Sequence, residues 1–277
     1  MLNLIKMDLY RLKKRKTLWI FSLIIFVVTF VVPLIIKGFT MLLNNMQATV
    51  EGLDPESAME ITAMNASLIR QVNFSDILRM PFGGLTSLLI FFLVFAASFF
   101  YADVGHGYIK NLAGQIPRIS MLSVSKLLVT LIPLFLMFLS ALLGSFLGNL
   151  LAFGVRFDDQ IGGGLLELLT KLLMAWAMAS VTMLFSAGLR IKSLGVIMAV
   201  FLGAGIFSIL YVPLSFGIQK LFKLKDFYIS YYLPDQLFGT DMGAANISLL
   251  NGVVSSLIVM ALSLGLTVLL NNKRDIK

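Results

Sequence analysis

Apolar residues in this chain gather in long runs rather than in the one-sided stripes of surface helices. Six of these runs approach or exceed the roughly 20 residues that a helix needs to cross the hydrocarbon of a bilayer. They predict spans at about 17–36, 82–101, 124–151, 168–189, 194–218 and 249–270. The expected fold class is an all-α polytopic membrane protein of six transmembrane helices (17–277), preceded by an N-terminal amphipathic interfacial helix over residues 1–16. In that helix Leu2, Ile5, Leu9 and Leu12 form an apolar stripe beside the basic cluster from Arg11 to Lys16.

Polar stretches separate the runs. The outer segment 37–81 carries Glu51, Asp54, Glu56 and Glu60, then Ile61, Met64, Leu68 and Val72 at spacings of three, four and four, which predict one apolar helix face. A shorter outer turn lies around Arg156 to Gly164. The outer segment 219–248 mixes Phe222, Phe227, Tyr228, Tyr231, Tyr232 and Phe238 with Lys220, Lys223 and Lys225, the chemistry of an interfacial belt.

Composition agrees with lipid as the solvent. Of 277 residues 58% are hydrophobic and 13% charged, with a mean hydropathy of +0.93, too apolar for a soluble domain to clothe its own surface. A net charge of +8 would point to nucleic acid in a soluble protein, but here its placement marks topology. With both termini on the cytoplasmic side, 14 of 22 basic residues fall inside and 11 of 14 acidic residues fall outside or near the outer end of a span. A secretory signal peptide is the competing reading of Met1 to Ile36; the apolar run is too long for one and no small-residue cleavage site follows Gly38.

Catalytic chemistry has little to stand on. The chain has no cysteine and one histidine, His106, so thiolate sites and multi-histidine metal sites are excluded. It has no Gly-Lys-Ser/Thr phosphate loop and no His-Glu-x-x-His pair, and we expect it not to be an enzyme. Glu167 and Lys171, four residues apart at the outer start of the fourth span, form a candidate intramembrane charge pair. The simpler account puts both at interface depth, with Lys171 snorkelling outward. Pro33, Pro133 and Pro213 are candidate kinks, and Gly144-Ser-Phe-Leu-Gly148 is a small-residue packing face. Asn65, Asn73 and Asn246 head glycosylation triplets, for which chance is the simpler reading.

The most informative stretch runs from Tyr101 to Lys126. Tyr108, Ile109 and Leu112 stand beside Lys110 and Asn111, between glycines 105, 107 and 114, so a short helix over about 104–117 is expected to present apolar side chains to the cytoplasm. Such a surface implies a partner; a helix folded back onto the membrane is the alternative.

In the order of its parts the chain resembles the permease subunits of type-2 ABC exporters. The resemblance rests on the basic entry helix, six spans, Asp103 ending the second span, Gly107-Tyr-Ile-Lys-Asn-Leu followed by Arg118 and Ser125-Lys126, and Tyr232-Leu-Pro before the last span. It covers nearly the whole chain, but only Gly107 to Lys126 is specific. It implies that Asp103, His106, Gly107, Tyr108, Ile109, Lys110, Asn111 and Leu112 form a coupling element that docks on a separate ABC ATPase. ATP and Mg would be bound by two copies of that partner, with no cofactor on this chain. It further implies a second permease chain, identical or paralogous, a bacterial cytoplasmic membrane and an amphipathic, peptide-like substrate, as in bacteriocin-immunity and phenol-soluble modulin exporters. Phe26 and Phe30 in the first span, with Phe207 and Tyr211 in the fifth, are the expected substrate path. An ion-coupled carrier or channel without an ATPase, and a non-transporting membrane adaptor, are the competing classes.

Overall fold

A computed structural model describes residues 2–49, 72–83, 87–105, 120–222, 228–240 and 249–274. Its first long helix, α2 (Lys16–Thr49), follows the short α1 (Leu2–Lys14) after a break at Arg15. A two-residue strand β1 (Val72–Asn73) leads into α3 (Phe74–Gly83), and α4 (Ser87–Gly105) comes next. Then follow α5 (Ser120–Val129), α6 (Leu131–Ala152), the strand β2 (Val155–Arg156) and α7 (Ile161–Met183), which ends in a π turn, Leu184–Gly188. The chain closes with α8 (Lys192–Gly203), α9 (Ser208–Phe222), a 3₁₀ turn at Ile229–Tyr231, the single-turn α10 (Pro234–Leu237) and α11 (Leu249–Arg274).

Among the described residues, four helical stretches are long and apolar enough to cross a membrane: Lys16–Leu42, Met121–Ala152, Ile161–Gly188 and Leu249–Lys273. A fifth is the pair α8 and α9, bent by 73° at its break. Leu88–Asp103 is apolar but shorter. Large apolar side chains such as Leu23, Ile35, Phe135 and Ile209 face outward, while Asp8, Asp103, Lys126, Glu167 and Lys171 are buried. Exposed apolar groups around buried charges are the pattern of an all-helical polytopic membrane fold.

α4 sits at the centre. Phe92, Leu93, Phe95, Ala96, Ala97 and Phe100 are all buried, so this helix is apolar around its whole circumference and has no polar face to show. α2 and α6 run parallel at very close range. A Cβ on Gly144 would stand 2.5 Å from the Phe26 carbonyl oxygen, and one on Gly148 the same distance from that of Phe30. Only glycine lets two backbones approach in this way, which is the packing expected of the Gly144 to Gly148 face. α4 and α8 run antiparallel, with Gly203 against Ile90. α7 and α11 run parallel along a hydroxyl seam that includes a short Ser180–Ser263 contact.

Several boundaries differ from those the hydrophobic runs predict. The helix of the first span continues to Thr49 and that of the fourth begins at Ile161. The predicted start of the second span, Phe82, lies in α3, while α4 begins at Ser87. Pro33 and Pro213 lie inside unbroken helices, and the sharp bend instead falls at Gly205, whose φ of 66° is left-handed and easy only for glycine. Pro133 lies just past the junction of α5 and α6 and has no N–H for the Val129 carbonyl, yet the Thr130 and Leu134 N–H groups still donate to the Lys126 and Thr130 carbonyls, so Met121–Ala152 runs on as one stretch. Val72 belongs to β1, pairing parallel with Val155 of β2, rather than to a helix face. Ile61, Met64 and Leu68 lie outside the described residues.

Candidate functional site

Three separate elements bring charge to one buried point beside the end of α4. Asp103, in its last turn, accepts from Arg11 of α1 at 2.8 Å through Oδ1 and pairs with Lys126 of α5 at 2.8 Å through Oδ2. Lys126 also donates to the carbonyls of Phe100 (3.2 Å) and Phe99 (3.5 Å), one turn before the end of α4. Both carboxylate oxygens and the ammonium are thus engaged in a water-poor setting, where charged hydrogen bonds are strong and costly to lose. Amphipathicity explains how α1 delivers Arg11: Ile5, Leu9 and Leu12 pack against the core, leaving Lys6, Tyr10 and Lys13 exposed.

Around the junction lies a cavity of about 280 Å³ lined by Asp8, Tyr10, Arg11, Lys14, Arg15 and Phe99, among others. The Arg15 guanidinium lies over the Phe99 ring at 5.2 Å and the Lys14 ammonium over Tyr10 at 4.4 Å. Burial pushes the Asp8 carboxyl up to about 6; Lys126 opposes the rise, Asp103 adds to it, and Arg11 and Arg15 oppose it. Burial likewise lowers the Arg15 guanidinium.

Asp8 therefore holds its proton more tightly in the folded protein than in the unfolded chain. Its destabilising effect sets in as pH rises from the ordinary carboxyl value of 3.8 through about 6 and is complete above that. We expect Asp8→Asn to melt higher than the parent protein at about pH 8 and to match it at about pH 4. Equal melting temperatures at both pH values would show that Asp8 is hydrated.

Of the expected coupling residues, only Asp103 is described. His106, Gly107, Tyr108, Ile109, Lys110, Asn111 and Leu112 lie outside the described residues, as does the expected helix 104–117 beyond Gly105. The flanks of that segment are described, and they converge: α4 leads into it, α5 leads out, and the Asp103–Lys126 pair ties them together. The sequence places Lys126 at the end of the stretch that carries the resemblance and Arg11 in the basic cluster of the entry helix, but marks neither as a partner of Asp103. The available signal was that a lysine at the edge of an apolar run needs a counter-charge.

Glu167 and Lys171 do pair, at 3.0 Å, but Lys171 is fully buried and does not snorkel. A third group joins them: Arg79 of α3 approaches Glu167 at 3.4 Å. Gly164 lets α3 come close, lying 3.2 Å from the Ser75 carbonyl as judged from an added Cβ. Ser75 donates to Asp158 through both its N–H and its hydroxyl, and the hydroxyl bond holds the Asp158 carboxyl below its ordinary range. Together these contacts hold α3 against α7 at the end of the bundle remote from α1.

The four aromatic path residues form two separate pairs. Phe26 and Phe30 stack at 6.1 Å on α2, whose main neighbour is α6. Phe207 and Tyr211 stack at 6.2 Å at the start of α9, and the Tyr211 hydroxyl donates to Asp235 of α10 at 3.2 Å. Within one chain they do not form a common wall. Among the described residues no group of three or more His, Cys, Asp or Glu side chains is placed to hold a metal.

No family model matches the chain, and neither a curated protein nor a solved structure does.

Proposed function

We propose that this chain is the transmembrane subunit of an ATP-binding-cassette exporter in a bacterial cytoplasmic membrane. It would work as one of two permease chains, identical or paralogous, with two copies of a separate ATPase subunit that binds ATP and Mg. One observation supports this above the rest: Asp103 joins the entry helix α1 to both flanks of segment 106–119. A push on that segment from a docked partner would reach α1, α4 and α5 together, which is the mechanical requirement for coupling a soluble motor to a helix bundle.

Six crossings are the reading that fits the helix directions. α2 runs parallel to α6, α4 antiparallel to α8, and α7 parallel to α11; alternate passes satisfy all three relations if α4 crosses and α8 with α9 counts once. At 19 residues, α4 is about 28 Å long, close to the ~30 Å hydrocarbon thickness. Both termini then lie in the cytoplasm with the basic cluster of α1, which suits the inner surface.

The cargo in this reading is amphipathic, with a peptide as the first choice. Phe26 and Phe30 on one chain and Phe207 and Tyr211 on its partner would line the path. Outward-facing apolar groups on both elements, Leu23 on α2 and Ile209 on α9, are consistent with surfaces that meet lipid, cargo or a second chain. The test is copurification of the native complex, followed by ATP hydrolysis in nanodiscs with cationic amphipathic peptides. Ile109→Asp should abolish ATPase copurification while leaving membrane insertion intact, because an unpaired charge buried at an interface costs several kcal/mol. Normal copurification with normal peptide-stimulated hydrolysis in that variant would refute the docking assignment.

A second reading, the ion-coupled carrier, draws on the buried Glu167 and Lys171 and the partly buried Arg79, since ionisable groups in a membrane bundle mark ion pathways. Flux in liposomes holding this chain alone would favour it over the exporter.

A further inference from the structure

The junction beside the end of α4 holds two acids, and its ion pairs go to one of them. Asp103 takes Arg11 through one oxygen and Lys126 through the other, each at 2.8 Å. Asp8 has no cation at ion-pair distance among the described residues. It is 1% exposed, and its Oδ2 is enclosed without a hydrogen-bond partner. The two other cations lining the same cavity lie over rings, Arg15 over Phe99 and Lys14 over Tyr10. A carboxylate oxygen so placed has given up water without a donor in exchange, whereas the neutral carboxyl gives up far less.

Asp8 also lies on the face of α1 that docks. Leu12, four residues on, is buried, and Ile5 and Leu9 pack against the same core. The helix cannot dock without taking this carboxyl out of water. The break at Arg15 separates α1 from α2, so α1 can lift while α2 stays packed along α6. The Asp103–Lys126 pair joins α4 to α5 without α1 and survives such a movement.

We propose that α1 is a proton-controlled latch: protonation of Asp8 holds it down against α4 and α5, and ionisation of Asp8 favours its release, which takes Arg11 away from Asp103. The charges acting on Asp8 are Lys126 from α5, Asp103 from α4, Arg11 from α1 itself and Arg15 from the break. Burial outweighs the cations and pushes the carboxyl up to about 6, against 3.8 in water. An acid whose affinity for its proton is raised by docking strengthens docking at low pH and withdraws that help as pH rises through the docked value. The released fraction should therefore rise about tenfold between about pH 5 and about pH 8. The effect is local to α1, with the bundle behind it closed. Nothing in this latch depends on the exporter reading.

The chain has no cysteine, so a single introduced thiol reports a single position. The experiment labels the full-length Leu12→Cys protein in detergent with dithiodipyridine at about pH 5 and about pH 8. Each rate is divided by that of Lys6→Cys, an exposed position of the same helix, in the same buffer. The ratio should be about tenfold higher at the upper pH. With Asp8→Asn added it should stay low at both. Ala97→Cys, fully buried in α4, should show no such rise. A low ratio unmoved by pH, a tenfold rise that persists in Asp8→Asn, or an equal rise at Ala97→Cys overturns the proposal. If the ratio for Leu12→Cys is high at both pH values, the substitution has itself released α1; Leu9→Cys, less buried on the same face, must then show the rise, and a ratio there that does not change with pH overturns the proposal equally.

Discussion

Replacing Glu167 by alanine should destabilise the protein by about 3–5 kcal/mol, the usual consequence of stranding one member of a buried ion pair. Lys171 is fully enclosed and its ammonium has Glu167 at 3.0 Å. Without that carboxylate the lysine must stay charged in a poor solvent, give up its proton, or drag water inward. Arg79 would lose the same anchor, so α3 should loosen from α7 as well. The measurement is thermal unfolding in detergent, paired with trypsin cleavage after Arg79, which should accelerate. The double replacement of Glu167 and Lys171 by leucine removes both charges and should recover most of the loss, since a buried pair is seldom better than well-packed hydrophobes. If Glu167→Ala melts within a degree or two of the parent, the triad is hydrated and this account of it fails.

Asp103→Ala should have an effect of similar size at the other end. It strips the buried Lys126 of its ion-pair partner and breaks the Arg11–Asp103 pair. A loss of about 3 kcal/mol is expected from the unpaired lysine, and α1 should detach. Trypsin cleavage after Arg15 should then speed up roughly tenfold, matching about 1.4 kcal/mol of lost local protection. Adding Lys126→Met should restore the melting temperature without restoring protection at Arg15, because the Arg11–Asp103 pair stays broken. Restored protection in that double variant would mean that the apolar stripe alone holds α1, and that the ion pair is incidental to its docking.

The two ends of the bundle were legible to different degrees, for physical reasons. The long apolar runs and the amphipathic stripe of α1 were plain, because span length and helical periodicity are local properties of the chain. The Gly144 and Gly148 contact was also visible, since small residues four apart have one common use between membrane helices. Partners distant in sequence were not. Nothing local to Asp103 says that Arg11 and Lys126 will reach it, and nothing local to Arg79 says that it will reach Glu167. The break at Gly205 was missed because a proline, Pro213, lay close by and drew the expected kink; within α9 the missing N–H is tolerated, whereas the left-handed φ at Gly205 changes the chain direction. Depth was misjudged for Lys171 because hydropathy placed the start of the fourth helix at about 168, seven residues after Ile161 where it begins.

The length of α2 shapes the remote surface. The helix packs alongside α6 in the same direction, and Lys37 reaches the Leu151 carbonyl at 3.3 Å where α6 is about to end. α2 then continues from Lys37 to Thr49, which at 1.5 Å per residue is about 18 Å of helix with no α6 beside it. The far side of the molecule is therefore stepped, with a post beside a ledge built from the β1–β2 ladder and α3. In the proposed orientation, an epitope tag placed after Thr49 would stand beyond the end of α6 and be read by an antibody on intact membranes, whereas the same tag at Gly162 would sit down on the ledge.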